Sequence, residues 1–389
     1  MASIADYFYR HNQIKQDTER GVYIMSFCIA PFVKINHDLT GTYRPCDVHS
    51  EYQGDYSSAE QAFYSDEVEL TRIEMIHDKH RIECSHCYDM EKVGIVSRRQ
   101  HLNSIYADEV NQIKKNSETR FPIMDLEMSF DNICNFKCVT CSPTFSSQWE
   151  KELGPVKKSI QNLDANTVKN LKHLTLLGGE PFLNKRVYDN GFFKIMNENY
   201  NFENSLLVLY TNNSIELKKH WYNLLIKVKK LCVMLSLDGI EEVGEYVRYG
   251  FNQKIFDKNL RIWKNFYNKP KIEILKNIYT GVNISFLVHN MNILNIKKTQ
   301  DKYDIPVILQ SINSPRYLNP AILPDTIKEK IISINDDEFV VNLLNSDTYD
   351  EKECKNFIEY TTYLIKTRGK PPEECLFIYK LLCKLYPTV

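Results

Sequence analysis

Long apolar runs are missing from this 389-residue chain. The longest, Ser205–Tyr210 and Leu231–Leu237, fall far short of the ~18 residues of a membrane-spanning helix, so no membrane is expected. Charge of one sign is missing too. With 49 Lys and Arg against 50 Asp and Glu the net charge is −1, and no basic block is present to grip phosphates, which argues against nucleic acid as a partner. There is no internal repeat and no low-complexity tract, which excludes solenoids and composition-driven disorder. The first residues, Met1-Ala-Ser-Ile-Ala-Asp-Tyr, lack the basic-then-apolar pattern of an export signal. The expectation is a cytoplasmic chain of about two folding units in a reducing compartment. There, thiols serve as ligands or nucleophiles more often than as disulfides.

What the chain does have is cysteine. Of its 11, seven fall in the first 141 residues: Cys28, Cys46, Cys84, Cys87, Cys134, Cys138 and Cys141. Cys232, Cys354, Cys375 and Cys383 are scattered through apolar or helical patterns and read as small buried hydrophobes.

Residues 1–115 read as an irregular α+β region. It has an apolar, alternating strand over Phe27–Asn36, a turn at Leu39-Thr-Gly-Thr, a helix from Ser58 and another through Arg98–Lys114. The segment Gly21–Met25 is β-rich and would suit docking of an extended peptide. Lys114-Lys-Asn-Ser-Glu-Thr-Arg reads as a linker. From 121 to 320, six short apolar runs alternate with helical stretches: Ile123–Phe130, His173–Leu177, Ser205–Tyr210, Leu231–Leu237, Val282–Val288 and Ile305–Leu309. Such alternation predicts βα units, an α/β fold with a parallel sheet, and six units suffice for a partial (β/α)6 barrel. Residues 321–389 read as a helical extension. One helix opens at Pro324, a second spans Tyr349–Thr367 and stops at Gly369, and a third spans Glu373–Tyr386.

Residues that do not look like packing stand just after these strands. They are Cys134-x3-Cys138-x2-Cys141, Gly178-Gly179-Glu180-Pro181, Thr211-Asn212-Asn213, Ser236-Leu237-Asp238-Gly239 and His289-Asn290. In parallel barrels chemistry sits at that end. Three thiolates do not complete a tetrahedral zinc site. They suit a cubane iron–sulfur cluster with one iron left open.

Cys134-Asn-Phe-Lys-Cys138-Val-Thr-Cys141 followed by Gly178-Gly-Glu-Pro181 resembles the radical S-adenosylmethionine (SAM) superfamily, over about residues 121–320. The resemblance implies a [4Fe-4S] cluster on Cys134, Cys138 and Cys141 that chelates SAM at its open iron. It also implies reductive cleavage of SAM to a 5′-deoxyadenosyl radical, hydrogen abstraction from a substrate, and an electron donor such as flavodoxin or ferredoxin. Gly178, Gly179 and Glu180 would bind SAM, Glu180 by accepting from its amino group. Ser236 and Asp238 would lie near the ribose and methionine end, and Arg248 would pair with the SAM carboxylate through its planar fork. Thr211, Asn212 and Asn290 complete the expected contacts. Thr140 departs from the family pattern, which has a hydrophobic residue before the last cysteine, and Phe136 is the candidate replacement.

The second set, Cys28-x12-Gly41-x4-Cys46 with Cys84-x2-Cys87, matches four-thiolate ligation of a cluster or of zinc. His77, His80 and His86 crowd its second half and keep a mixed zinc site open. Its first half resembles the start of the SPASM/twitch auxiliary-cluster module, here placed before the barrel instead of after it. Enzymes of that kind modify peptide or protein side chains, and others oxidise small sugar-like alcohols. A peptide or protein substrate is expected, with a small molecule, or a non-catalytic cluster- or zinc-structured binding protein, as the alternatives.

Overall fold

The computed structural model describes residues 26–37, 39–46, 49, 56–92, 94, 96–116, 120–158, 163–189, 191–267 and 281–387. The segment 21–25 and residues 117–119 of the expected linker lie outside them, and Lys114–Asn116 end a helix. The strands are β1 (Lys34–His37), β2 (Tyr43–Arg44), β3 (Asp125–Ser129), β4 (Lys137–Cys138), β5 (His173–Leu177), β6 (Leu206–Thr211), β7 (Lys230–Ser236), β8 (Arg248–Tyr249), β9 (Gly281–Val288) and β10 (Val307–Ser311). One sheet runs β10-β9-β7-β6-β5-β3-β1-β2, while β4 and β8 form a separate antiparallel ribbon.

All six predicted strands are present in the predicted order and pair in parallel, as β3, β5, β6, β7, β9 and β10. The fold is α/β, as expected. The N-terminal region adds to it: β1 pairs in parallel with β3, and β2 ends the sheet antiparallel to β1. The sheet is curved. Side chains from one flank to the other, Lys34 of β1, Glu127 of β3, Thr175 of β5, Tyr210 of β6, Met234 of β7 and Gln310 of β10, line a single cavity of about 640 Å³. The strand pleat sends Asp125 and Glu127 into that cavity and Leu126 and Met128 to the other face. His86, Cys87, Arg98 and His101, all from the N-terminal region, also line it.

Two local expectations are corrected. The run Phe27–Asn36 is not one strand. Pro31 at the first turn suits a short helix, Ala30–Val33, and only Lys34–His37 is extended. Arg98–Lys114 is two helices, Arg98–Ile105 and Ala107–Asn116, because the fully buried Tyr106 leaves helical geometry between them. In the tail, Asp325–Ile332, Glu351–Arg368 and Glu373–Leu385 match the reading, and Glu338–Leu344 is an unanticipated helix. Asp350 caps the long helix, and Gly369, at φ +87°, ends it. No described helix is long and apolar enough to cross a membrane.

The join between β1 and β3 is electrostatic. Lys34 and Asp125 are register partners, 3% and 0% exposed, with Nζ 2.9 Å from Oδ1. Burial pushes the Lys34 pKa down, but the Asp125 and Glu127 carboxylates more than reverse it. Burial pushes Asp125 up, and Lys34, with His173 and Arg98, more than reverses that. Glu127 also accepts from Asn36 and Arg98. Removing one member strands a buried charge, at a cost of about 3–5 kcal/mol. Lys34→Met should therefore lower the unfolding free energy by about that much in urea melts, and adding Asp125→Leu should recover part of the loss. A single-variant loss under about 1 kcal/mol would mean the pair is idle.

Candidate active site

The loop after β3 carries Cys134, Cys138 and Cys141, and none of the eleven cysteines forms a disulfide. The loop is short, so its backbone needs partners from outside. The Cys134 carbonyl accepts from Ser147 Oγ and Gln148 Nε2, and that of Phe136 from Ser146 Oγ at 2.6 Å. The Cys138 carbonyl accepts from the Trp149 indole at 2.8 Å and that of Val139 from the Tyr360 hydroxyl at 2.7 Å. Ser146 also caps the helix Ser147–Leu153, so the loop runs straight into a rigid element. The Cys141 thiol donates to Cys138, and this contact, aided by Arg248, lowers the Cys138 pKa and favours its thiolate. Burial pushes Cys134 up to about 12.

The Gly178-Gly179-Glu180 turn after β5 lies directly on this loop. A Cβ at Gly179 would stand 2.2 Å from the Ile133 carbonyl oxygen, and one at Gly178, where φ is +89°, 2.9 Å from that of Asp131. Only glycine permits the approach. The Glu180 backbone N–H then donates to Ile133 O at 2.7 Å. The Glu180 carboxylate is 1% exposed and accepts from Thr211 Oγ1 at 2.8 Å and from the Asn212 N–H at 2.7 Å. Asn212 reaches the cysteine loop in turn, with Nδ2 3.0 Å from Asn135 Oδ1 and 3.8 Å from Cys134 Sγ. The predicted Gly178, Gly179, Glu180, Thr211 and Asn212 thus form one constellation with Cys134. Burial raises the Glu180 pKa to about 7, and the hydrogen bonds from Asn212 and Thr211 hold it from going higher.

Asp238 and Arg248 meet each other: Arg248 Nη1 lies 2.6 Å from Asp238 Oδ2. Asp238 Oδ1 also accepts from the Leu287 N–H. Arg248 keeps a buried Nε without a partner. Ser236 ends β7, half-buried, opposite Ser285 of β9. Asn290 is tied to Leu318 and Tyr317, and its Oδ1 is buried without a donor. Phe136 is fully buried beneath the Arg248 guanidinium and beside Phe251, so its ring belongs to the core. Thr140 is half-buried.

The four N-terminal cysteines also come together. All are buried, and Cys46, Cys84 and Cys87 each act on Cys28, whose pKa is raised by burial and then by these thiols. Arg99 borders them. It donates to Phe27 O at 3.0 Å, pairs with buried Glu91 and stands over the Tyr88 ring. His80 packs on Tyr88, with ring centroids 4.1 Å apart. Among the described residues, no three His, Cys, Asp or Glu side chains form a group suited to a single metal ion.

Several residues of this region escaped the sequence reading. Cys232, taken as packing, lines the cavity and accepts from Asn283 Nδ2. Arg98, read only as the first residue of a helix, faces the cavity and Glu127. Asp125 and Glu127 did carry a signal, two acids at period two within an apolar strand.

Glu180 gives a pH test. Its folded pKa lies above the ordinary carboxylate value, so the folded state holds a proton that the unfolded chain has released. The stability it contributes is complete below pH ~4.5 and is lost as pH rises to about 7. Relative to Glu180→Gln, the wild-type chain without ligands should lose about 3 kcal/mol across that window, measured by chemical unfolding. A pH-independent difference would place the carboxyl in an ordinary environment.

No family model matches the chain. Two curated relatives, both GTP 3′,8-cyclases from strains of Staphylococcus epidermidis, are 28% identical over 199 residues, 48% of this chain and 50% of theirs. The chain thus spans about half the length of the curated relatives it matches. Among solved structures, native anSMEcpe with bound AdoMet is similar at 17% identity and TM-score 0.38, over 57% of this chain and 63% of that one. SuiB of Streptococcus suis bound to precursor peptide SuiA is similar at 15% identity and TM-score 0.33, over 76% and 62%.

Proposed function

We propose that the chain is a radical SAM enzyme whose Cys134, Cys138 and Cys141 hold a [4Fe-4S] cluster, and that it modifies a peptide or protein side chain. The observation that carries this reading is the backbone-to-backbone lock between the cysteine loop and the Gly178-Gly179-Glu180 turn, at the C-terminal edge of a curved parallel sheet. The donor set fits the group, since three thiolates leave one iron of a cubane without a protein ligand. When bound, cluster and SAM supply a 5′-deoxyadenosyl radical that takes a hydrogen atom from the substrate.

The chain's own residues bind and orient. Glu180 accepts from the SAM amino group, with Thr211 and Asn212 fixing its carboxylate. A cation there favours the ionised form, so binding displaces the proton that burial retains. Arg248, steadied by Asp238, offers its buried, unpartnered Nε–H to the SAM carboxylate. Ser236 and Asp238 serve the ribose and methionine end, and Asn290 offers the buried Oδ1 that lacks a donor.

The cavity on the concave face takes the substrate. Its volume of about 640 Å³ falls within the range of small-ligand sites and suits one side chain. Cys28, Cys46, Cys84 and Cys87 hold an auxiliary cluster of the twitch type, and Cys87 also lines this cavity. Residues 1–115 form the auxiliary module, 121–320 the barrel and 321–389 a helical extension, with flavodoxin or ferredoxin as electron donor. A second reading, a small-molecule substrate, is favoured by the same cavity and by the likeness to GTP 3′,8-cyclase.

Anaerobically reconstituted protein given SAM and a strong reductant should yield 5′-deoxyadenosine and methionine. Cys138→Ala should abolish both products. Cys84→Ala or Cys87→Ala should still cleave SAM while losing one cluster's iron, from roughly eight toward roughly four atoms per chain. Intact SAM in protein shown to carry a reduced cubane would overturn the enzyme reading. Zinc at one per chain with a single cubane would make the second set a zinc site.

A further inference from the structure

We propose that Arg368, the last residue of the helix Glu351–Arg368, is a positioning residue for Cys138 that also sets the charge balance of the cysteine loop from outside the barrel. The proposal rests on reading Cys134, Cys138 and Cys141 as cluster ligands. The helix grips the loop twice. Tyr360 donates to the Val139 carbonyl at 2.7 Å, and two turns later Arg368 Nη2 donates to the Lys137 carbonyl at 2.6 Å. Cys138 lies between those two carbonyls. Its own carbonyl is held by Trp149, and the Arg368 guanidinium carbon sits 4.9 Å from the centroid of that ring.

The same guanidinium is 5.2 Å from the Tyr249 ring centroid, and Tyr249 is the register partner of Lys137 across the β4–β8 ribbon. Arg368 Nη1 reaches the Tyr246 carbonyl, at a looser 3.4 Å. Guanidinium, indole, ribbon and loop therefore form one stack. A lysine would keep the charge but not the planar fork that makes the stack and aims the donors. The Arg368 Nε–H is buried with no acceptor. Such a donor is costly to keep dry, and the cost is offset if the cation acts on anionic neighbours. On the ligand reading, the three thiolates of the loop are such neighbours, and Arg368 is bonded to the backbone beside Cys138. A cation beside an iron–sulfur cluster stabilises its reduced, more negative form, so losing the cation should lower the reduction potential.

The test uses the full chain reconstituted anaerobically as wild type, Arg368→Gln, Arg368→Lys and Tyr360→Phe. Cys138→Ala serves as control. The cluster of this loop is followed through the part of the reduced EPR signal that SAM perturbs. Arg368→Gln should shift its midpoint potential to more negative values, and Arg368→Lys should restore it toward wild type. Both Arg368→Lys and Tyr360→Phe should lose iron from this cluster to a chelator roughly tenfold faster than wild type. A folded Arg368→Gln protein with wild-type potential would overturn the proposal. If that variant does not fold, unchanged iron loss in the other two overturns it instead. If Cys138→Ala leaves the wild-type iron content and SAM-perturbed signal intact, the ligand reading itself has failed, and the Arg368 proposal with it.

Discussion

A lysine and an aspartate on neighbouring strands, both shut off from water, hold the N-terminal region to the barrel. Burying either charge alone would be prohibitive, so Lys34 and Asp125 require each other. They also fix register, because a slip of one residue would turn Lys34 to the opposite face of the sheet. Much else is placed by that register. Cys28 lies six residues upstream, across a short buried helix. Glu127, one pleat further along β3, is bound by Lys34 and Arg98 together. The wall of the cavity is thus assembled from a pairing that a surface salt bridge could not specify.

The opposite end of the sheet is organised by backbone chemistry instead of charge. Two glycines let one turn press against the segment that leads into the cysteine loop, and side chains from three directions absorb the loop's carbonyls. A loop bound on so many sides has little freedom left to lose when it takes a ligand, which is what preorganisation means in free-energy terms. Glu180 shows the accompanying electrostatic strain. Its carboxyl is kept from water, but three donors keep it within reach of ionisation near neutral pH.

The parts legible in the sequence were those with local signatures. The six strands announced themselves as short apolar runs between helical stretches, and the loops that follow them by non-packing side chains at one end of each run. β1 was less legible because Pro31 interrupts the apolar pattern, and because nothing local pairs residue 34 with residue 125. Ser97 and Gln100 form the capping box of the helix expected from Arg98. What sequence could not supply is that Arg98 and Arg99 diverge, one to the cavity and one to the four-thiol pocket. Arg368 was read as part of a helix stop, which it is, but its contact with a carbonyl 231 residues away has no local trace.

The pairing of β1 with β3 has a consequence for how the molecule is made. The two partners are 91 residues apart, so β1 leaves the ribosome long before its neighbour exists. At ordinary rates of elongation that wait is roughly 5–20 s. During it Cys28, Cys46, Cys84 and Cys87 have all been synthesised, while the strand that anchors their region is still unpaired. The four thiols must pass through that interval in a chain whose charged partner for Lys34 has yet to appear. The four-thiol region therefore cannot complete its fold until β3 has been made.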